Sequence, residues 1–173
     1  MNAVLAVWNA ASESEALDAM LACCGSKRWA ATMVAQRPIA SVEALSEAAD
    51  RAWDTMQEQD WLEAFACHPR IGERNPALVA SHATAQSSTW SRQEQSSAVN
   101  VNESVLVELA EGNQLYEQRF GFTYIVCATG KSADEMFRIL KRRLASDRDA
   151  ELREAAEQQR QIMQVRLGKW LVE

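Results

Sequence analysis

The run His68-Pro69-Arg70-Ile71-Gly72-Glu73 holds one of only two histidines in the chain, in a setting that lets an imidazole be aimed. The residues before it, Asp60-Trp61-Leu62-Glu63-Ala64-Phe65-Ala66-Cys67, read as a short helix. Asp60 is its cap, Glu63 follows three residues later, and Leu62, Phe65 and Ala66 share one side. Pro69 ends that helix, because proline disfavours the helical region for the residue before it. His68 therefore falls at a helix exit, directed by a stiff Pro-Arg-Ile-Gly turn. Imidazole is the side chain that exchanges protons near neutral pH, so general acid–base work is the chemistry such a placement serves. A histidine that merely caps a helix C-terminus, where a cation is favoured, fits the same residues.

Two further polar residues fall on apolar stripes. Ser91-Arg92-Gln93-Glu94 reads as a capping box opening a helix that runs through Val101, Val105 and Leu109 toward Tyr116 and ends by Gly121, with Gly112-Asn113 as the place where it would bend. Counting back from Val105 by helical intervals gives Val101, Ala98 and Glu94, which places a carboxylate on the inward face. Completing the capping box is the structural role open to the same Glu94. In the last helix the stripe Leu152, Ala156, Gln159, Ile162, Met163 continues through Arg166 to Trp170. A buried guanidinium is unfavourable unless paired, so Arg166 either snorkels over the end of the bundle or meets a partner. An aimed imidazole, an inward carboxylate and an inward guanidinium would all be satisfied by one concave site.

Two rival readings use the same residues. Cys67 beside His68 offers a thiol and a base, as in thiol-dependent hydrolases, but adjacent helical residues splay apart. A non-catalytic helical adaptor would need an exposed aromatic or Met-rich groove, and no such face stands out.

The elements that must position these groups are helices announced by caps. Ser12-Glu13-Ser14-Glu15 is a capping box leading into Leu17, Met20, Leu21 and Cys24, and Gly25 closes that helix. Ser26 caps a helix with Trp29, Met33 and Val34 that stops at Arg37-Pro38, and Ser41 opens one with Leu45, Ala49, Ala52, Trp53 and Met56. Asn75 to Ala80 reads as one or two helical turns, and the Ser-, Thr- and Gln-rich stretch Ser81–Trp90 as a mobile loop. Ser132 caps a helix with Met136, Phe137, Ile139, Leu140 and Leu144. The expected architecture is an irregular, single-domain, all-α helical bundle over residues 1–173. One segment departs from the pattern: Phe122 to Gly130 is β-branched and aromatic without a partner strand. It is either a helical turn plus loop, or an extended piece whose amides and carbonyls meet a ligand.

The 173 residues suffice for one domain with a substantial core, and 47% hydrophobic content is ordinary for a soluble protein. A net charge of −6 without a basic block excludes a nucleic-acid surface built on many phosphate contacts. Cysteines at 23, 24, 67 and 127 lack Cys-x-x-Cys spacing and companion histidines, so neither a zinc site nor a disulfide framework is expected. No stretch approaches the roughly 18 apolar residues of a membrane span. The start lacks the basic region of a secretory signal and the end is not a peroxisomal address, so the expected location is cytoplasmic.

The chain resembles the 2-oxo-4-hydroxy-4-carboxy-5-ureidoimidazoline (OHCU) decarboxylase family of urate breakdown over nearly its whole length. The residues that carry the resemblance are Trp8-Asn9-Ala10-Ala11-Ser12, Cys24-Gly25-Ser26 with Trp29, Arg37-Pro38, Asp60 to Phe65 running into His68-Pro69-Arg70-Ile71-Gly72, and Ser91-x-x-Glu94-Gln95. They continue with Asn113-x-x-Tyr116-x-x-Arg119-Phe120-Gly121-Phe122, the Ile125 to Gly130 segment and Arg166-Leu167. The resemblance implies an all-α homodimer that needs no metal or organic cofactor and converts a small ureide to (S)-allantoin with loss of CO₂. It assigns catalysis to His68 and Glu94. Substrate contacts fall on Pro69, Ser91, Gln95, the Tyr124, Ile125, Val126, Cys127 and Ala128 backbone, and Arg166. Tyr124 departs from the pattern, standing where phenylalanine is frequent.

Overall fold

The structure, a computed structural model, describes residues 2–72, 84–96 and 103–173. Among these residues it contains nine helices and no strand, which bears out the all-α expectation: α1 (Ala3–Ala10), α2 (Glu13–Cys23), α3 (Lys27–Ala35), α4 (Val42–Asp54), α5 (Glu58–Ala66), α6 (Ala85–Glu94), α7 (Glu103–Phe120), α8 (Ala133–Arg143) and α9 (Arg148–Trp170). The chain divides into two compact units, residues 1–64 with 160–173, and residues 65–159. Helices α5 and α9 each contribute to both.

In the first unit the helix starts follow local chemistry. Asn2, Ser12, Ser26 and Ser41 each accept from a backbone N–H of the helix they open, and Glu15 reaches back to the Ser12 N–H at 3.1 Å to complete a capping box. The buried stripes of α1 to α4 supply Leu5, Trp8, Met20, Trp29, Met33, Leu45 and Trp53, and successive helices pack on one another. A buried indole brings one polar atom, and those of Trp8 and Trp29 lie on carbonyls: Trp8 Nε1 donates to Ala16 O (3.0 Å) and Trp29 Nε1 to Ala49 O (3.1 Å). Arg37 Nη1 donates to the carbonyls of Trp8 and Ala11 at the C-terminal end of α1. The last turns of α9 join α4 through Gln164 on Ser46 and Asp50, and through Arg160 on Asp50.

The helix before the histidine turn begins earlier than expected. With α5 starting at Glu58, Asp60 is not the cap but the third helical residue. Its Oδ2 accepts from the Gln57 N–H (2.9 Å) and from Arg28 Nη1 (3.0 Å).

In the second unit, two expectations are corrected. The part of Ser81–Trp90 that is described is not a loop. Thr84 caps α6 by accepting from the Ser87 N–H, and the helix runs through Trp90 to Glu94. Ser91 and Glu94 therefore occupy the last turn of α6 and do not open the following helix. The buried face of α6 is Ser87, Trp90 and Ser91, too polar to show as an apolar stripe. The expected turns over Asn75–Ala80, and the Ala98 and Val101 steps of the stripe, lie outside the described residues. Helix α7 continues through Gly112, which packs against α8 so closely that a Cβ there would lie 2.6 Å from Leu140 Cδ2. Glycine is thus a packing surface in α7. Gly121 ends this helix at φ +80° with its N–H on Glu117 O (2.9 Å), a left-handed exit that suits glycine.

Candidate active site

The His68 turn is fixed by side chains from three directions. The His68 N–H closes the end of α5 on Phe65 O (3.1 Å), and the helix stops before Pro69 as the sequence predicts. Arg70 forks onto Glu117 of α7 (Nε 2.8 Å, Nη2 2.6 Å). Ile71 O accepts from the buried Asn113 Nδ2 (2.9 Å), and the Gly72 N–H donates to Gln95 Oε1 (3.0 Å). Gly72 adopts φ +79°, a conformation open to glycine and strained for most other residues. The imidazole itself meets Gln159 of α9, with Nε2 2.7 Å from Oε1. An aimed histidine needs a backbone that does not drift, and these bonds provide it.

The segment that refused helical periodicity is irregular from Thr123 to Ala128, and Tyr124 to Ala128 are all buried. Buried irregular backbone must find partners, and here side chains supply them. Arg143 Nη1 donates to Ile125 O (2.6 Å), Gln158 Oε1 accepts from the Cys127 N–H (2.9 Å), and Lys131 Nζ donates to Cys127 O (2.8 Å). The Cys127 amide is therefore already engaged, which narrows the backbone groups the segment can turn toward a ligand. Tyr124 uses its hydroxyl to donate to Met136 O of α8 (3.0 Å).

Arg143 anchors this segment from a buried polar cluster. Its guanidinium forms an ion pair with Glu151, both groups being almost fully buried, and the Tyr116 hydroxyl donates to the same Glu151 oxygen. The Tyr124 ring lies with its centroid 4.9 Å from the guanidinium carbon. Burial, opposed by the Arg143 charge, pushes both phenols well above their ordinary range. These are the only two tyrosines in the chain. Folded protein should accordingly show no tyrosinate absorbance as pH is raised through the usual phenol value of about 10. Up to that pH the native and unfolded chains hold the same phenol protons. Above it the unfolded chain releases protons that the native state keeps, so stability falls by about 1.4 kcal/mol per pH unit for each tyrosine. Ultraviolet difference spectra recorded alongside far-ultraviolet circular dichroism check this, and tyrosinate appearing while the helix signal is intact would contradict it.

The remaining expected site residues divide between the two units. Pro69 is half-buried in the turn. Ser91 is buried on α6, with Glu94 half-buried at that helix's end, and Gln95 follows with its Oε1 engaged by Gly72. All of these, with His68 and Tyr124–Ala128, belong to the second unit. Arg166 is 2% exposed on the part of α9 that belongs to the first unit. There burial pushes the Cys23 thiol pKa up, and the Arg166 charge opposes part of that push. Among the described residues no group of three or more His, Cys, Asp or Glu is placed to hold a metal ion.

Sequence reasoning missed Gln158, Gln159, Arg143 and Glu151 as supports of this site. Gln159 lay in plain view on the apolar stripe of α9. Arg143 falls three residues after Leu140 and seven after Met136, which marks it as inward-facing by the same periodicity.

The fold superposes on a structure described as OHCU decarboxylase in the presence of (S)-allantoin, with a TM-score of 0.75 and 34% identity, covering 94% of this chain and all of that one. The family model described as OHCU decarboxylase matches residues 9–168, and the chain belongs to this family of decarboxylating lyases. Among curated relatives, it is 38% identical over 153 residues to the uric acid degradation bifunctional protein TTL of Arabidopsis thaliana. That match covers 88% of this chain and 46% of the relative. It is 26% identical over 136 residues to 2-oxo-4-hydroxy-4-carboxy-5-ureidoimidazoline decarboxylase of Haloferax volcanii, covering 77% of this chain and 74% of that protein.

Proposed function

We propose that this protein catalyses the cofactor-independent decarboxylation of OHCU to (S)-allantoin in urate breakdown. The observation that carries the reading is an imidazole held by Gln159 in a turn anchored on α7 and Gln95, in a chain whose family membership spans residues 9–168. By the same resemblance residues 1–173 work as one functional domain in a homodimer, and the reading places the protein in the cytoplasm.

The chemistry suits such residues. Breaking the bond to CO₂ leaves an electron pair on a ring carbon, and the neighbouring ring C=N system takes it up, so no pyridoxal or thiamine is required as an electron sink. The protein must then supply geometry and a proton. His68 stands beside the departing carboxylate and the hydroxyl, holds that carboxylate out of the ring plane, and transfers a proton on one face. Delivery from one face yields one enantiomer. Ser91, Glu94 and the amide NH₂ of Gln95 hold the ureido and ring nitrogens and oxygens, the Tyr124–Ala128 backbone apart from the engaged Cys127 N–H fixes the ring, and Arg166 binds a carbonyl or ureido oxygen. Purified protein added to freshly generated OHCU should produce the circular dichroism of (S)-allantoin well above the spontaneous rate. Racemic product at the spontaneous rate would refute the proposal.

A further inference from the structure

Gln159 is completely buried on α9, and the two ends of its amide have different fates. Oε1 lies 2.7 Å from Nε2 of His68, whereas Nε2 of the glutamine has no hydrogen-bond partner among the described residues. A buried amide donor without a partner works against folding, and an apolar side chain of the same volume would avoid that penalty. What glutamine offers here that methionine or leucine cannot is an acceptor for the imidazole. A carbonyl oxygen only accepts, so the ring nitrogen facing it carries a proton. We propose that Gln159 is a positioning residue for the decarboxylation. By accepting from Nε2–H it fixes the ring of His68 and holds the neutral imidazole in the tautomer whose lone pair is on Nδ1, making Nδ1 the atom that takes up and returns the proton. The inference rests on the reading of His68 as the proton-transfer group. Nε2 keeps its proton throughout, Nδ1 gains one and gives it back, and Gln159 stays neutral. A neutral acceptor orients the ring as a carboxylate would, without adding a charge that favours the imidazolium.

The chain has two histidines, so the imidazole ¹H–¹⁵N spectrum of the full-length, ¹⁵N-labelled protein contains two ring systems, and His68→Asn assigns them. At a pH where the ring is neutral, His68 should show the Nε2–H tautomer. In Gln159→Met both tautomers should be populated and kcat should fall by about tenfold or more, with KM changing by less than about twofold. Gln159→Glu, which keeps an oxygen acceptor at this position, should restore the proton on Nε2. An Nδ1–H ring in active wild-type enzyme overturns the inference alone, and that measurement needs no variant to fold. A Gln159→Met protein with unchanged tautomer and kcat overturns it as well. A folded, fully active His68→Asn variant brings down the functional reading, and this inference with it, which sets that failure apart from the others.

Discussion

His68→Asn should lower turnover by at least about a hundredfold while leaving the helical fold in place. Asparagine offers hydrogen bonds but no group that gains and loses a proton near neutral pH, so orientation without proton transfer is all it can provide. The turn should survive, because Arg70 on Glu117, Ile71 O on Asn113 and the Gly72 N–H on Gln95 hold it independently of the imidazole. The acceptor left behind on Gln159 adds a folding penalty of about 1–3 kcal/mol. Allantoin formation followed by circular dichroism reports the loss, and far-ultraviolet circular dichroism with urea unfolding reports the intact fold. Most of the activity retained in a folded variant would remove His68 from the mechanism.

Arg143→Leu should destabilise the protein by about 3–5 kcal/mol, because the substitution leaves the Glu151 carboxylate buried without its cation. Glu151 is 1% exposed, so water cannot take over from the guanidinium. The same change removes the donor to Ile125 O and the cation beside the Tyr124 ring. Against a typical folding stability of about 5–15 kcal/mol this is a large fraction, and the urea midpoint should drop accordingly. Replacing both partners, as Arg143→Met with Glu151→Met, should be milder than the single change, since no orphaned charge remains. A single variant as stable as the wild type would show that the ion pair does not hold this part of the molecule.

The parts of the fold that could be read from sequence are those decided locally. Ser12, Ser26, Ser41 and Ser132 each cap a helix through a bond spanning three residues, so the pattern is complete within a short window. Pro69 likewise places the exit of α5 because its effect falls on the adjacent residue. Helix α6 escaped because its inward face is made of two serines and a tryptophan, and burial of small polar residues has no periodic signature. Asp60 resembled a cap because its carboxylate does serve a helix N-terminus, though from inside the first turn. In the candidate site, the imidazole was legible from its neighbours, while its partner Gln159 lies 91 residues away and becomes visible only once the chain is folded. The backbone of 122–130 announced itself by composition, but besides the adjacent Lys131 the side chains that satisfy it are Arg143 of α8 and Gln158 of α9, 18 and 31 residues from the groups they bind.

Gln158 and Gln159 are consecutive on α9, one bonded to the Cys127 amide and the other to the imidazole. Successive helical residues project about 100° apart, so the angle between these two supports is a property of the helical screw itself. Inserting or deleting a single residue between Arg148 and Glu157 would rotate both glutamines together, breaking the bonds to the Cys127 amide and to the imidazole in the same event. The phase of α9 is in this sense an indexing mark shared by two otherwise unrelated pieces of chain. Length variation would be better tolerated in the stretch from Ala145 to Asp147, between α8 and α9, than within the helix that follows.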